Sequence, residues 1–175
     1  MQLTGKQIIE RGIISNYVEE GIQQQGVDVR VAKIIKLHPH LDSKAGYVPV
    51  EGKTKIGGDW QEVQPSVRPL AENPKPSFML SPGYYEVTLM ESCKMPANAA
   101  LHYMTRSSLV RNGATVYSGQ FDGGFETDAM GCYLEVRQPL IIEVGARIAQ
   151  AIVNETYEVE NTYNGQWQGD KQRVK

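Results

Sequence analysis

Cysteine is nearly missing from this chain. Cys93 and Cys132 are the only two, far apart, with neither a CxxC nor the cysteine–histidine spacing of a zinc site. That leaves no disulfide framework to read, and it excludes chemistry that needs the zinc centre written H-x-E…P-C-x-x-C. Two reduced thiols in a cytoplasmic protein are the expectation. Long apolar runs are missing too: none reaches spanning length, and "MQLTGKQIIERG" has neither a long apolar core nor a cleavage-site pattern, so no membrane partner is expected. Charge of one sign is absent as well. The formal net charge is −2, which gives no reason to expect a nucleic-acid polymer as partner. Any anion bound here must be held by a local cluster. "EGKTKIGG" lacks the spacing of a P-loop, and His38 and His40 sit in a proline loop without a third ligand, so neither reads as a phosphate cradle or a metal site.

What is present fits one ordinary domain, residues 1–175, of which 41% are apolar and 22% charged. "LTGKQIIERGII" predicts a short helix: Thr4 and Gln7 have capping-box spacing and Gly12 stands at the C-terminal stop. No other segment is assigned to helix. "GVDVRVAKIIKL" alternates Val27, Val29 and Val31 against Asp28, Arg30 and Ala32, the period of a strand. Residues 38–82 are rich in Pro, Gly and Lys and read mostly as loop. "PGYYEVTLMES", "NAALHYMTR", "GCYLEV", "LIIEVG" and "RIAQAIV" then read as strands. The polar, aromatic tail, 155–175, is either disordered or orders over a ligand or a neighbour. Many short strands with one N-terminal helix predict an all-β sandwich, jelly roll or barrel.

Three segments carry candidate chemistry. In "RSSLVR", Arg106 and Arg111 bracket Ser107 and Ser108, giving planar guanidinium donors and hydroxyls of the kind that grip phosphate oxygens. A solvated turn with a surface ion pair explains the same residues equally well. In "FDGGFE", Asp122 precedes two glycines that admit close backbone approach, and Phe125 offers a flat apolar face. The carboxylate suits a sugar hydroxyl or an attacking water; an Asp-Gly hairpin turn is the commoner use of these residues. "GARIAQ" reads as a glycine turn and a core strand with Gln150 on its outer face.

Together, "LTGKQIIERG", "QGVDVRV", "RSSLVRNG", "SGQFDGGFE", "GARIAQ" and "YNGQWQG" resemble, in order and spacing, the dUTPase and dCTP deaminase superfamily. The closest likeness is to dUTPases with a deaminase-like N-terminus and tail, as in archaeal and some viral or bacterial members. The resemblance implies a distorted jelly-roll (β-clip) fold, a homotrimer with active sites between subunits, and a deoxynucleoside triphosphate as ligand. It implies Mg²⁺ held chiefly by triphosphate oxygens and water, with no protein side chain as ligand. By the same resemblance Arg106, Ser107, Ser108, Arg111 and Gln150 hold the phosphates. Asp122 faces the sugar and the water, Phe125 stacks under the deoxyribose, and Tyr163, Trp167 and Gln168 of the tail close over the triphosphate of a neighbouring site.

The two chemistries of the superfamily part at one position. Deaminases resemble DPGFEGxxxLE, with a glutamate ten residues after the motif aspartate; here that residue is Cys132, and Glu135 comes three residues late. An insertion at "TDAM" would restore Glu135 to that role, whereas without a gap it is a strand residue facing out beside Tyr133. Two further departures are Thr127, where the family has glycine, and a tail that lacks the dUTPase arginine and phenylalanine. The expected reaction is hydrolysis of dUTP to dUMP and pyrophosphate by water attack on the α-phosphorus. The alternatives are dCTP deamination, alone or combined with that hydrolysis, and a non-catalytic nucleotide-binding trimer.

Overall fold

A computed structural model describes residues 1–38, 46, 48–53, 57–67, 74–157, 159 and 161–170; His40 lies outside them. Helix α1 (Gly5–Glu10) is followed by the short strands β1 (Ile14–Ser15) and β2 (Ile22–Gln23) and by the long strand β3 (Gly26–His38). Next come β4 (Asp59–Glu62), β5 (Ser66–Val67), β6 (Pro76–Leu80), β7 (Gly83–Leu89), β8 (Ser92–Lys94) and β9 (Ala99–Thr105). A second short helix, α2 (Ser107–Arg111), leads into β10 (Ala114–Tyr117), β11 (Glu126–Thr127), β12 (Gly131–Val136), β13 (Leu140–Glu143) and β14 (Arg147–Glu155). The chain is all-β in class, and its curled main sheet agrees with a jelly-roll-like fold. Among the described residues no helix is long and apolar enough to cross a membrane.

Among the described residues every strand pairing is antiparallel. The main sheet runs β10-β12-β7-β3-β14-β9, with β2 and β4 also on β3, while β1-β8-β11 and β13-β6-β5 form two small sheets. β3 is the hub. Its first half pairs β14 and its second half pairs β7 and β4, with a register shift between Val31 and Lys33. Such an irregularity bends the strand and lets it serve two directions. At the ends of the main sheet a side chain of β9 bonds the backbone of β10. Thr105 Oγ1 accepts from Val116 N (3.0 Å) and donates to Val116 O (3.2 Å), so a hydroxyl stands in for the missing strand pairing between β9 and β10.

Inside lie Val27, Val29, Val31 and Ile34 of β3, Tyr85, Val87 and Leu89 of β7, Cys132, Leu134 and Val136 of β12, and Ile148, Ala151 and Val153 of β14. A buried ion pair anchors the β8 end to the hub: Glu91, fully buried, accepts from Arg30 Nε (2.6 Å) and Arg30 N (2.8 Å). The same guanidinium donates to Asn16 O ahead of the next turn.

The expected N-terminal helix is present with its capping box: Thr4 Oγ1 accepts from Gln7 N and Gln7 Oε1 accepts from Thr4 N. Gly12 follows it at φ 66°, the left-handed stop. Three features differ from expectation. α2 was not assigned to helix, because five residues without a side-chain N-cap carry no readable periodicity. "PGYYEVTLMES" is two strands, since the chain turns between Leu89 and Ser92 to leave one sheet for another. Finally, β3 does not alternate at its start: Val27, Asp28 and Val29 are all buried, because the turn at Glu19–Gly21 and two arginines cover the second face.

Because Thr105 alone supplies the two bonds to Val116, Thr105→Val should strand a buried N–H and C=O and cost about 1–3 kcal/mol. Urea titration should show a lower midpoint for this variant, and Thr105→Ser should recover most of it.

Candidate active site

The segment "RSSLVR" begins where β9 ends. Arg106 N bonds Ile148 O on β14, which fixes the exit of the strand, and Ser107 opens α2. Gln150 of β14 lies in register between Asp28 of β3 and Met104 of β9. These residues enclose a polar cavity of about 220 Å³ lined by Gln23, Asp28, Met104, Thr105, Arg106, Ser107 and Gln150. Three of the five residues expected at the phosphates therefore meet at one cavity. Ser108 and Arg111 do not line it; both are exposed on α2, at its first and last turns.

Sequence reasoning missed Asp28, Arg147 and Gln23. Asp28 is 3% exposed and faces two guanidinium groups, Arg106 Nε at 3.4 Å and Arg147 Nη1 at 3.5 Å from Oδ2. Neither approach is a hydrogen bond, so Oδ2 is a buried acceptor without a donor. Burial raises the Asp28 pKa above its ordinary 3.8, and the charges of Arg106 and Arg147 pull it back down only in part. Arg147 also donates to Glu20 O (2.5 Å), which Gln23 Nε2 shares at 3.0 Å. The only readable signal for Asp28 was its place in "QGVDVRV", where alternation set it on the face opposite Val27, Val29 and Val31.

Asp122 and Phe125 form a second cluster. Phe121 pairs with Leu101 near the start of β9, and Gln120 Nε2 donates to Asp122 Oδ1 at 2.9 Å. Asp122 itself is exposed. Arg106 lies five residue steps along the extended chain from Leu101, about 17 Å at about 3.3 Å per step. The antiparallel pairing of Phe121 carries Asp122 further from Arg106, not nearer. Within one chain the carboxylate and the cavity do not converge.

The tail lies on this second cluster. Tyr163 N bonds Gly123 O (2.8 Å), and Gln168 Nε2 donates to Gly124 O (2.9 Å) while Gln168 Oε1 accepts from Glu126 N (3.3 Å). The rings of Phe121, Phe125 and Tyr163 follow edge to face, with centroids 5.2 and 5.4 Å apart. The glycine pair meets protein here. A Cβ at Gly123 would lie 2.2 Å from Ala97 O, and one at Gly124, at φ +85°, 2.6 Å from Thr162 Cβ. Trp167 is exposed and its backbone N–H donates to Tyr163 Oη. Gln166, not singled out from sequence, has a buried Nε2 that makes no hydrogen bond.

Glu135 is on the outer face of β12, with Cys132, Leu134 and Val136 on the buried one. It accepts from Tyr117 Oη (2.8 Å) and from Arg137 Nη2 (3.1 Å) and Nε (3.3 Å). Arg137 first, then Tyr117, lower its pKa. The carboxylate is thus held ionised. Thr127 is buried and its hydroxyl donates to Ala129 O, closing "TDAM" into a turn of its own between β11 and β12. Among the described residues no group of three or more His, Cys, Asp or Glu is placed to hold a metal ion.

Residues 2–156 match a protein family described as dCTP deaminase-like. The chain is 31% identical over 159 residues to the deoxyuridine 5′-triphosphate nucleotidohydrolase of Methanocaldococcus jannaschii, covering 91% of this chain and 94% of that one. It is 30% identical over 167 residues to a probable deoxyuridine 5′-triphosphate nucleotidohydrolase of Halobacterium salinarum (93% and 94% covered), and 28% over 173 residues to one of Aeropyrum pernix (97% and 99%). Among solved structures, the 2′-deoxycytidine 5′-triphosphate deaminase of Agrobacterium tumefaciens superposes with a TM-score of 0.60 at 17% identity, over 88% of this chain. This chain spans about half the length of that deaminase, 48%, and the likeness is one of fold.

The raised Asp28 pKa has a sign that stability measurements read. The folded state binds the Asp28 proton more tightly than the unfolded state does, so this group's contribution is present at low pH. It is lost as pH rises from 3.8 through the raised folded value. Over that window the melting temperature of the wild type should fall relative to Asp28→Asn, measured on both proteins across the same buffers.

Proposed function

The chain belongs to the dCTP deaminase-like family, and from that premise we propose that it hydrolyses dUTP to dUMP and pyrophosphate. One observation carries the reading: Arg106, Ser107 and Gln150 line a single cavity, and the Arg106 guanidinium there shares the buried Asp28 carboxylate with Arg147. A polyphosphate presents the oxygens that such donors take up. The relatives named dUTP nucleotidohydrolases, matched over nearly their whole length, supply the base and the reaction.

In this reading Asp122 holds and deprotonates the water that attacks the α-phosphorus. Electrons pass to the bridging oxygen, and pyrophosphate leaves. Arg106, Ser107, Gln150 and, from α2, Ser108 and Arg111 hold the phosphates and offset the charge that builds on the leaving group. Phe125 lies under the deoxyribose. Mg²⁺ arrives as part of the substrate complex, held by triphosphate oxygens and water. The distance of about 17 Å along β9 supports a site completed between chains, with Asp122 of one chain facing the cavity of another, as in the homotrimer that the family resemblance implies. In that assembly Tyr163, Trp167 and Gln168 travel with the Asp122 side of the site.

The pairing of Glu135 with Arg137 favours hydrolysis over deamination, because a deaminating glutamate must take up and release a proton. One observation keeps dCTP deamination as the second reading: "TDAM" forms a self-contained turn, a place where an insertion would bring Glu135 level with the deaminase glutamate.

The test offers purified protein Mg²⁺ with dUTP or dCTP and resolves products by base and phosphate number. Conversion of dUTP to dUMP with dCTP untouched is expected; dUTP or dUMP formed from dCTP would establish the second reading instead. Asp122→Asn should lower kcat by about a hundredfold or more while still binding a non-hydrolysable dUTP analogue. Glu135→Gln should hydrolyse dUTP at the wild-type rate.

A further inference from the structure

We infer that Gln168 is a positioning residue for the sugar end of the site, acting as a clasp on the turn that carries Asp122 and Phe125, and is not a phosphate ligand. The inference rests on the reading of Asp122 and Phe125 given above. Its basis is where the side-chain amide goes. Nε2 donates to Gly124 O and Oε1 accepts from Glu126 N, so one amide engages the backbone groups on both sides of Phe125. That is the pairing a neighbouring strand would make. On the other side of the turn, Gly124 N and Phe125 O are already bonded to Met95. With β11 at the edge of its small sheet, the outward groups would otherwise face water.

The rest of the tail points the same way. Tyr163 reaches the turn twice, through its N–H to Gly123 O and through its ring against Phe125. Thr162 fills the space that a Cβ at Gly124 would occupy. Phe125 is therefore set by Phe121 and Tyr163 at its ring and by Gln168 at its backbone. Arg106 and Ser107 lie at the far end of β9, so in the same chain Gln168 does not reach the cavity that would hold phosphates.

The two ends of the nucleotide can be probed separately. Pyrophosphate reports the arginine–serine end, dUMP the sugar and base end. For Gln168→Ala, calorimetry should give an unchanged Kd for pyrophosphate and a Kd for dUMP weaker by about fivefold, the scale of one or two modest hydrogen bonds. Exchange of the Glu126 amide in nucleotide-free protein should quicken by a similar factor, with no change in melting temperature. Gln168→Glu keeps the acceptor for Glu126 N but turns an oxygen on Gly124 O, and should not restore dUMP affinity. Weakened pyrophosphate binding with dUMP unaffected would make Gln168 a phosphate ligand and overturn the assignment. Unchanged dUMP affinity and unchanged Glu126 exchange would overturn it as well. A wild-type protein that failed to bind dUMP would instead sink the functional reading, and this assignment with it.

Discussion

A carboxylate buried between two guanidinium groups organises this protein. Asp28 comes from the hub strand β3, Arg147 from the start of β14, and Arg106 from the exit of β9. Without Asp28, two cations would stand close together at a partly buried place and repel. Without the arginines, Asp28 would be an uncompensated buried charge, which is among the costlier defects a fold can carry. Each of the three offsets part of the cost of the others. Their residual imbalance, two positive groups for one negative, lies beside the cavity that Asp28, Arg106, Ser107 and Gln150 line. A chain with a net charge of −2 thereby holds a local site for an anion.

That site sits on rigid backbone. Thr105, Arg106 and Ser107 are consecutive. The first closes the main sheet onto β10, the second is bonded through its N–H to β14, and the third begins α2. A change at any of them alters both the scaffold and the donors it presents. The Asp122 turn is built differently. Its backbone leans on Met95 and Ala97 on one side and on the tail on the other, and its glycines serve these protein contacts. In the proposed function these become a phosphate end on rigid backbone and a sugar end supported by the tail, held apart by the length of β9, which suits a site that two chains complete together.

The comparison of sequence and structure is instructive at particular residues. Thr4, Gln7 and Gly12 announced α1 because capping is a local interaction that sequence spacing states directly. Arg106, Ser107 and Gln150 were legible because their chemistry and their order along the chain are distinctive. Asp28 was not, since alternation in a strand says which residues share a face and nothing about what covers that face. The five-residue α2 escaped for want of a full period. The glycine pair was read as room for a ligand, yet the nearest atoms belong to Ala97 and Thr162, positions whose proximity depends on the folded path of the chain.

By itself, then, the sequence determined the all-β class, the capped first helix, the family resemblance and most of the polar donors. These follow from periodicity, capping and short motifs, all of which operate over a few residues. Only the tertiary structure decided that Asp28 joins Arg106 and Arg147, that Glu135 is held ionised by Arg137 and Tyr117, that the tail lies on the Asp122 turn, and that Asp122 and the cavity stand apart in one chain. The reason is that burial, charge pairing and strand register are set by residues far apart in sequence.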